Sequence, residues 1–291
     1  MAAPPARNSN SASRTANPRS LRFGWRRPRR RHRLASERGS RLVCGGLGAP
    51  TLRSIGEVAR TVGRSVAEIV FPPVCAGCGA LGEGICPICI SQLDPLSHRC
   101  CRQCNRALDH GDQCAACRHQ ERRIDHVFVR YPYETPVRDA ILRLKFNNKR
   151  YLAAALAGVA AQALPDPLDI DALIPIPLGA RRERERGFNQ SQLIAAQLTR
   201  WLPVPVLDQH VIRHRDTVPQ TSLVREARWR NVIGAFTCLH NMSGARVLLV
   251  DDVAATGATL EAAARALRRR GAAWVGAVVA ARPPPDRSLA P

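Results

Sequence analysis

The chain has 291 residues, 45% of them hydrophobic, which suffices for one full domain plus a smaller module and excludes a wholly disordered protein. Its formal net charge is +21, and residues 1–53 hold 13 arginines against a single acid, Glu37, so the basic excess is concentrated at the N-terminus. No apolar run approaches the roughly 20 residues that cross a bilayer. With no signal-peptide pattern, this predicts a soluble, cytoplasmic protein.

Residues 1–65 are rich in Arg, Ser and Pro and have no apolar period, so we predict a disordered basic tail. The same composition also fits a transit peptide or a polybasic arm that binds nucleic acid. A solvated extension, or a start placed too far upstream, is the plainer interpretation.

Residues 66–120 carry four Cys-x-x-Cys pairs within 43 residues. Two such pairs can bring four thiolates around one zinc ion, so the pattern predicts a double zinc ribbon with two structural sites. Pairing in chain order and interleaved pairing are both open. Four cysteines leave no position for water or substrate, which argues against catalytic zinc. The predicted metal ligands are Cys75, Cys78, Cys86, Cys89, Cys101, Cys104, Cys114 and Cys117.

Two other interpretations of the cysteine pairs are weaker. A disulfide framework needs an oxidising compartment. A redox pair should open a helix beside a βαβ unit, whereas these pairs lie in short polar and Gly-rich loops. Among the other cysteines, Cys100 could replace a neighbouring ligand, and Cys238, in AFTCL, is predicted to be a small core residue.

Residues 121–285 alternate between predicted strands and helices, which indicates an α/β domain with a central parallel sheet; residues 286–291 are predicted to be disordered. Ligands of such sheets bind at the carboxyl ends of the strands. The predicted strands are HVFVRYPY, DALIPIPL, RVLLV and AWVGAVVAAR, and VPVLDQHVIRH is predicted to be extended. Helices are predicted in TPVRDAILRLKFNNKRYLAAALAGVAAQAL with a break near FNNKR, in SQLIAAQLTRWL, in the first part of REARWRNVIGAF, and in GATLEAAARALRRRGA, which ends at Gly271.

The stretch RVLLVDDVAATGATL joins a buried strand to a helix through two acids and a loop of small residues. Asp251 and Asp252 come at the predicted carboxyl end of this strand. The loop that follows can bring its backbone N–H groups close to a phosphate at the helix N-terminus. Carboxylates beside a phosphate must face another part of the ligand, such as sugar hydroxyls or a bound magnesium ion. A ribose 5-phosphate fits this arrangement.

Three other kinds of protein segment share parts of this pattern. A response-regulator receiver domain needs a phosphoacceptor aspartate about fifty residues after the acidic pair, and only 39 residues follow Asp252. A Walker-type loop needs a Gly-Lys-Ser/Thr sequence that is absent. An acidic N-cap for the next helix needs one acid and none of the remaining pattern.

LLVDDVAATGATL resembles the phosphoribosyl-diphosphate (PRPP) loop of the type I phosphoribosyltransferases. Together with the four cysteine pairs and the segments LKFNNKR and DALIPIPLGARRERERGFNQSQLIA, residues 71–282 resemble the ComF family of competence-associated proteins. The resemblance implies a type I phosphoribosyltransferase fold with a central parallel sheet, preceded by a double zinc ribbon. It also implies zinc in the ribbons, and magnesium bound with PRPP.

The resemblance also assigns roles to individual residues. Asp251 and Asp252 would hold the ribose hydroxyls of PRPP and are the candidate catalytic residues. The 5-phosphate would lie in the loop formed by Val253, Ala254, Ala255, Thr256, Gly257, Ala258 and Thr259. The pyrophosphate and flexible loop would include Pro177, Arg182, Arg184, Arg186, Gly187 and Asn189. Arginines there would neutralise a departing pyrophosphate, although alternating glutamates also fit a solvated helix start.

Several residues are open to two interpretations. The segment Phe188-Asn189-Gln190 either contacts ligand or caps a helix, while Gln220 and Thr221 could line the pocket. Lys145 is one of two lysines in an arginine-biased chain, but a helix lysine that snorkels to solvent is the more frequent case. Ala255 stands where many ComF-like loops carry threonine, which we expect to weaken phosphate binding at most.

Two functions follow from these expectations. An enzyme would substitute at the anomeric carbon of PRPP, with positioning and charge neutralisation supplying most of the acceleration, and its acceptor is not encoded in any motif. The alternative is a non-catalytic protein that handles single-stranded DNA during natural competence. The basic excess favours binding to phosphate backbones, whereas an aromatic content of 4% offers few rings for base stacking. A metal-stabilised scaffold for proteins of the competence machinery is a third possibility.

Overall fold

The computed structural model describes residues 72–96, 100–101, 103, 108–119, 122–214, 232 and 234–283. The predicted tail and C-terminus, Cys104, and the segment with Gln220 and Thr221 lie outside these residues. The seven strands assigned within them are β1 (His126–Phe128), β2 (Tyr131–Pro132), β3 (Ala172–Pro175), β4 (Val211–Arg213), β5 (Phe236–Cys238), β6 (Arg246–Val253) and β7 (Trp274–Arg282).

A five-stranded parallel sheet forms the centre of the fold, as the alternation of strands and helices predicted. β6, which carries the acidic pair, lies between β3 and β7, and both β1 and β2 pair with β7. Val247 and Leu249 of β6 pack into the core on one face of the sheet, and Leu248 and Val250 pack into the core on the other. Burial on both faces explains the continuous aliphatic run.

Helices cover both faces of the sheet. Leu260 and Leu267 of α7 (Ala258–Arg269) pack on one face. Residues of α3 (Val137–Phe146), α4 (Leu152–Ala161) and α6 (Gln190–Leu198), such as Leu156 and Ile194, pack on the other. In the part of the chain that the structure describes, no helix is long and apolar enough to cross a membrane. The helices are α1 (Pro87–Ser91), α2 (Ala115–Arg118), α3 (Val137–Phe146), α4 (Leu152–Ala161), α5 (Ala180–Arg186), α6 (Gln190–Leu198) and α7 (Ala258–Arg269).

Two strand predictions needed correction, and the segment predicted to be extended contains a strand. HVFVRYPY is two strands, because the carbonyl of Arg130 accepts the N–H of Leu96 (2.7 Å) between them. β6 continues beyond its predicted end, since Asp251 and Val253 stay in register with β7. The extended segment after α6 supplies β4, which pairs with β5 in a separate antiparallel ribbon. The acidic pair therefore sits inside the hydrogen-bonded ladder rather than after it.

The end of α7 agrees with the sequence. Gly271 adopts a φ of +93°, and a Cβ at this position would lie 2.9 Å from the hydroxyl oxygen of Ser243 and 3.0 Å from its Cα. A side chain would be strained by its backbone angle and by this close approach. The helix consequently ends where the glycine predicted.

The first zinc ribbon packs against the helices that follow it. Ala76 is buried in the same core as Leu152 of α4, and the hydroxyl of Tyr151 donates to the carbonyl of Val74 (3.1 Å). A Cβ on Gly84 would lie 3.0 Å from side-chain atoms of both Leu152 and Ala155. The ribbon backbone thus lies directly on α4, and the two modules share apolar surface.

Candidate functional site

The acidic pair lies at the carboxyl end of the central strand. Asp252 is 3% exposed and Asp251 is partly exposed. Lys145 at the end of α3 forms an ion pair with Asp252 Oδ2, and Gln190 Nε2 donates to Asp252 Oδ1 (3.2 Å). Ser191 Oγ donates to Asp251 Oδ1 (2.9 Å). Side chains from α3 and from the start of α6 therefore hold both carboxylates.

The two carboxyls differ in protonation because their surroundings differ. Burial raises the pKa of Asp251 to about 8, and the adjacent carboxylate of Asp252 adds to the rise. Burial would also raise the pKa of Asp252, but the Lys145 ammonium and the hydrogen bonds it receives hold that pKa below its usual value. As pH rises, Asp252 therefore loses its proton before Asp251 does, and the first negative charge of the pair lies on Asp252.

The segment Phe188-Asn189-Gln190 both caps a helix and reaches the acids. Asn189 accepts the N–H of Ser191 (2.9 Å) as the N-cap of α6 and donates to the carbonyl of Ile176 (3.0 Å) after β3. This tie fixes the first turn of α6 beside β6, so that Gln190 meets Asp252. Sequence reasoning left this segment undecided and missed Ser191. A hydroxyl residue in the first turn of the helix, two positions after the Asn189 cap, was the available signal.

Lys145 is not a snorkelling surface lysine. Its side chain is 21% exposed, and its ammonium ends at the 4% exposed side chain of Asp252. The more frequent behaviour of helix lysines, favoured by the sequence, therefore does not apply here. The structural reason is that α3 packs on the sheet with its last turn next to the carboxyl end of β6.

The predicted phosphate loop joins β6 to α7. Gly257 adopts a φ of +73° as the N-cap of α7, a conformation that favours glycine, and Thr256 Oγ1 accepts the N–H of Ala258 (3.3 Å). Ala255 is exposed, and Ala254 is buried with its N–H donating to the carbonyl of Ala281 (3.2 Å). The Ala254 amide thus belongs to the sheet edge in this structure, and Thr256 and Gly257 beyond it are partly exposed.

The arginine run forms helix α5, which ends at Gly187 with a φ of +74°. Arg186 donates to Gln190 Oε1, and its guanidinium lies 5.7 Å from the ring centroid of Phe146. Burial lowers the pKa of Arg186, with Asp252 opposing the shift and Arg182 adding to it. The run is therefore a helix, which matches the alternating-charge interpretation, yet its last arginine is linked to the acids through Gln190.

The other predicted residues of this segment lie farther from the acids or face outward. Pro177 directly follows the Ile176 carbonyl that Asn189 contacts, and it is partly exposed. Arg184 is exposed, while Arg182 is partly buried on the side of Arg186. Arg186 is therefore the arginine of this segment that interacts with the acidic pair, and Arg182 lies next to Arg186.

Four cysteines of the first ribbon converge in chain order. The sulfurs of Cys75, Cys78, Cys86 and Cys89 all lie within 4.8 Å of one another, and those of Cys78 and Cys86 are 3.7 Å apart. Sulfurs bound tetrahedrally to zinc at about 2.3 Å lie about 3.8 Å apart. Although burial opposes it, backbone N–H groups led by that of Cys86 lower the pKa of Cys75 to about 6. The cluster fits a tetrathiolate zinc site.

In the second ribbon, the sulfurs of Cys101, Cys114 and Cys117 also lie within 4.8 Å of one another, and all three residues are buried. Cys104, the predicted fourth ligand, lies outside the described residues. Cys238 lies apart from both clusters and is 2% exposed, so it is the small core residue that its apolar context predicted. Burial raises the pKa of its thiol.

Glu261 in the first turn of α7 is 1% exposed and was not singled out by the sequence. Its carboxylate accepts the N–H of Arg123 at both oxygens (2.9 and 3.1 Å) and that of Ile124 (3.3 Å), and it pairs with Arg265 (3.0 Å). It thereby joins the chain after the second ribbon to the helix that begins at the phosphate loop.

We expect Glu261→Ala to lower the free energy of unfolding by about 2–4 kcal/mol, because it leaves buried N–H donors without an acceptor. The matched control is Glu185→Ala, since Glu185 also pairs with an arginine four positions away (Arg181) but is 62% exposed. Its loss should cost about 0.5 kcal/mol or less. Urea unfolding of both variants measures the difference, and equal losses would contradict the role of Glu261.

Comparisons with known proteins agree with this architecture. The family model described as a phosphoribosyl transferase domain matches residues 185–289, and the one described as a double zinc ribbon domain matches residues 66–118. Competence protein F of Haemophilus influenzae is 33% identical over 199 residues, which cover 65% of this chain and 86% of that protein. DNA utilization protein YhgH of Escherichia coli K12 is 32% identical over 218 residues, 71% and 96% of the two chains.

Two further matches are more distant. Competence protein ComFC of Bacillus subtilis is 29% identical over 66% of this chain and 80% of that protein. The glutamine PRPP amidotransferase of Bacillus subtilis matches in structure with a TM-score of 0.33 and 18% identity, over 48% of this chain and 30% of that one. This structural likeness is too low to carry an inference about function.

The fold and its cysteine clusters define a class of protein in which a double zinc ribbon precedes a phosphoribosyltransferase domain with a parallel central sheet. Within this class, the chain belongs to the ComF family of competence proteins.

Proposed function

We propose that the protein binds Mg-PRPP at the carboxyl end of β6 and that this binding serves the handling of DNA in natural competence. The observation that supports it best is the direct succession of the acidic pair in the β6 ladder and the loop capped by Gly257. The acidic pair can accept the hydroxyls of a ribose phosphate, and the loop that follows it can bind the phosphate of the same ligand.

Each group of the ligand has a candidate partner. Asp251 and Asp252 would accept the ribose hydroxyls, and residues Val253 to Thr259 would hold the 5-phosphate. Arg182 and Arg186 of α5 would neutralise the departing pyrophosphate, because cationic donors favour the charge that develops. Magnesium suits the carboxylate oxygens and would supply further charge neutralisation. Zinc would occupy both cysteine clusters, whose thiolates require a reducing compartment, so we place the protein in the cytoplasm.

Calorimetric titration with Mg-PRPP tests the proposal. We expect binding by the unaltered protein and a loss of at least about 100-fold in affinity when Asp251→Asn and Asp252→Asn are combined, because the site loses the negative charge of Asp252 and neither side chain can then become a carboxylate. Asp169→Asn is the control, since Asp169 is 74% exposed and lies at the opposite, amino-terminal edge of the sheet beside Arg246. Absence of binding by the unaltered protein, or unchanged binding by the double variant, would refute the proposal.

Single-stranded DNA handling without turnover is the second candidate, supported by the surface around Phe146. The Phe146 ring is 73% exposed next to the guanidinium of Arg186, and Arg150 lies 4.7 Å from the ring centroid of Phe188 close by. An exposed ring beside an arginine can stack a base while nearby cations meet the phosphates.

This candidate predicts that Phe146→Ala weakens binding of a fluorescent oligothymidylate by about five- to tenfold, in line with the loss of one stacked base. Trp201→Ala is the matched control, because Trp201 is also an exposed aromatic (48%). Fluorescence anisotropy at several salt concentrations measures both, and binding should weaken steeply as salt rises. Pyrophosphate release assayed with and without the oligonucleotide separates turnover from binding.

A further inference from the structure

The buried carboxylate of Asp252 is neutralised by a cation that the chain itself supplies. The Lys145 ammonium pairs with Asp252 Oδ2 from the last turn of α3, and the two side chains are 21% and 4% exposed. A buried carboxylate without a cation is strongly unfavourable. Lys145 thus competes for the Asp252 carboxylate with any metal cation that approaches it.

The other groups that touch the pair carry no formal charge. Gln190 donates an amide hydrogen to Asp252 and Ser191 donates a hydroxyl hydrogen to Asp251. Arg186 reaches the oxygen of Gln190 and not a carboxylate oxygen. Among the residues that the structure describes, Lys145 is therefore the cation in ion-pair contact with the acidic pair.

We propose that Lys145 is a tethered counter-ion that keeps free divalent metal off the acidic pair and leaves Asp252 when a diphosphate offers the ammonium another partner. The identity of that ligand rests on the proposed function, whereas the competition between Lys145 and metal does not. The pair then accepts a metal and sugar hydroxyls only together with ligand phosphates. Lys145 is in this sense a positioning and selectivity residue.

The choice of lysine at this position supports an exchangeable contact. Only two of the 44 lysines and arginines in the chain are lysines, so Lys145 departs from the general use of arginine. An ammonium is a compact, strongly hydrated charge on a flexible stem, while a guanidinium grips a carboxylate with two parallel hydrogen bonds. Lysine can neutralise Asp252 and still be displaced, and arginine would hold it more firmly.

Titration of the zinc-loaded full chain with Mn²⁺ alone, followed by electron paramagnetic resonance, tests the competition without PRPP. We expect Lys145→Gln to bind Mn²⁺ at least about tenfold more tightly than the unaltered protein, because metal no longer competes with a tethered cation. Lys145→Arg should bind no more tightly than the unaltered protein. Lys149→Gln, which removes the other lysine from an exposed position, should leave the affinity unchanged.

Equal Mn²⁺ affinity in Lys145→Gln and the unaltered protein would overturn the inference, as would tighter binding by Lys145→Arg. Circular dichroism and zinc content verify folding, and Lys145→Met, which keeps the aliphatic stem, replaces the glutamine variant if that one is unfolded. In a second titration, Mg-PRPP should bind Lys145→Gln about tenfold more weakly than the unaltered protein. If PRPP binds neither protein, the proposed function fails, while the Mn²⁺ result still decides the role of Lys145.

Discussion

Replacing the two neighbouring aspartates singly by asparagine is expected to change stability in opposite directions. Asp252→Asn leaves the largely buried Lys145 side chain (21% exposed) without its counter-ion and should lower the free energy of unfolding by about 3 kcal/mol near pH 7. Asp251→Asn removes a charge that burial and Asp252 disfavour, and should raise the free energy of unfolding by about 2 kcal/mol near pH 9. Asparagine keeps an oxygen that can accept from Ser191.

The effects of the two variants differ in their pH dependence. The pKa of Asp251 is raised in the folded state to about 8, so its contribution to stability is present below the unfolded pKa of about 3.9 and is lost as pH rises towards 8. The gain from Asp251→Asn therefore grows across this window and then levels off. The pKa of Asp252 is lowered, so its contribution is present above about pH 3.9 and is lost on acidification.

Thermal unfolding of both variants and the unaltered protein at about pH 5.5, 7 and 9 measures these differences. A change of 3 kcal/mol corresponds to roughly 6–12 °C in Tm for a domain of this size. Acid release of zinc affects all three proteins alike, so only the differences between them count. Destabilisation by Asp251→Asn at high pH would contradict the prediction, because it would mean that a favourable partner stabilises the Asp251 carboxylate.

Loss of the first zinc site is expected to have the largest effect on the ribbon and on the helices beneath it. Cys75→Ser removes a buried ligand, and serine is a much poorer zinc ligand than a thiolate. The ribbon backbone at Gly84 packs on α4, so its unfolding uncovers Leu152 and Ala155 as well. We expect one zinc ion fewer per chain and a Tm lower by roughly 10 °C.

Metal analysis and calorimetric unfolding check this prediction together. Cys238→Ala is the matched control, because Cys238 is an equally buried cysteine outside the clusters. It should leave the zinc content unchanged. An unchanged zinc content in Cys75→Ser would exclude Cys75 as a ligand, and a normal Tm after zinc loss would mean that the ribbon does not support α4.

The sequence by itself determined the features that depend on short-range spacing. Four equal Cys-x-x-Cys spacings predicted the ribbons but left their pairing open, and only the structure shows that the first cluster pairs in chain order. The continuous aliphatic run of β6 predicted a strand buried on both faces, and Gly271 predicted the end of α7. These patterns are readable because backbone geometry and side-chain burial repeat with the period of each element.

Only the tertiary structure decided which distant residues meet at the acids. Gln190 and Asp252 are 62 positions apart, and Arg123 and Glu261 are 138 apart, so no local pattern connects them. The sequence favoured an exposed lysine at position 145 and left the start of α6 undecided. Both were decided by packing, because α3 and α6 lie on the same face of the sheet. The end of α3 and the start of α6 both lie beside the carboxyl end of β6. Contacts of this kind depend on how helices dock, which side-chain periodicity does not encode.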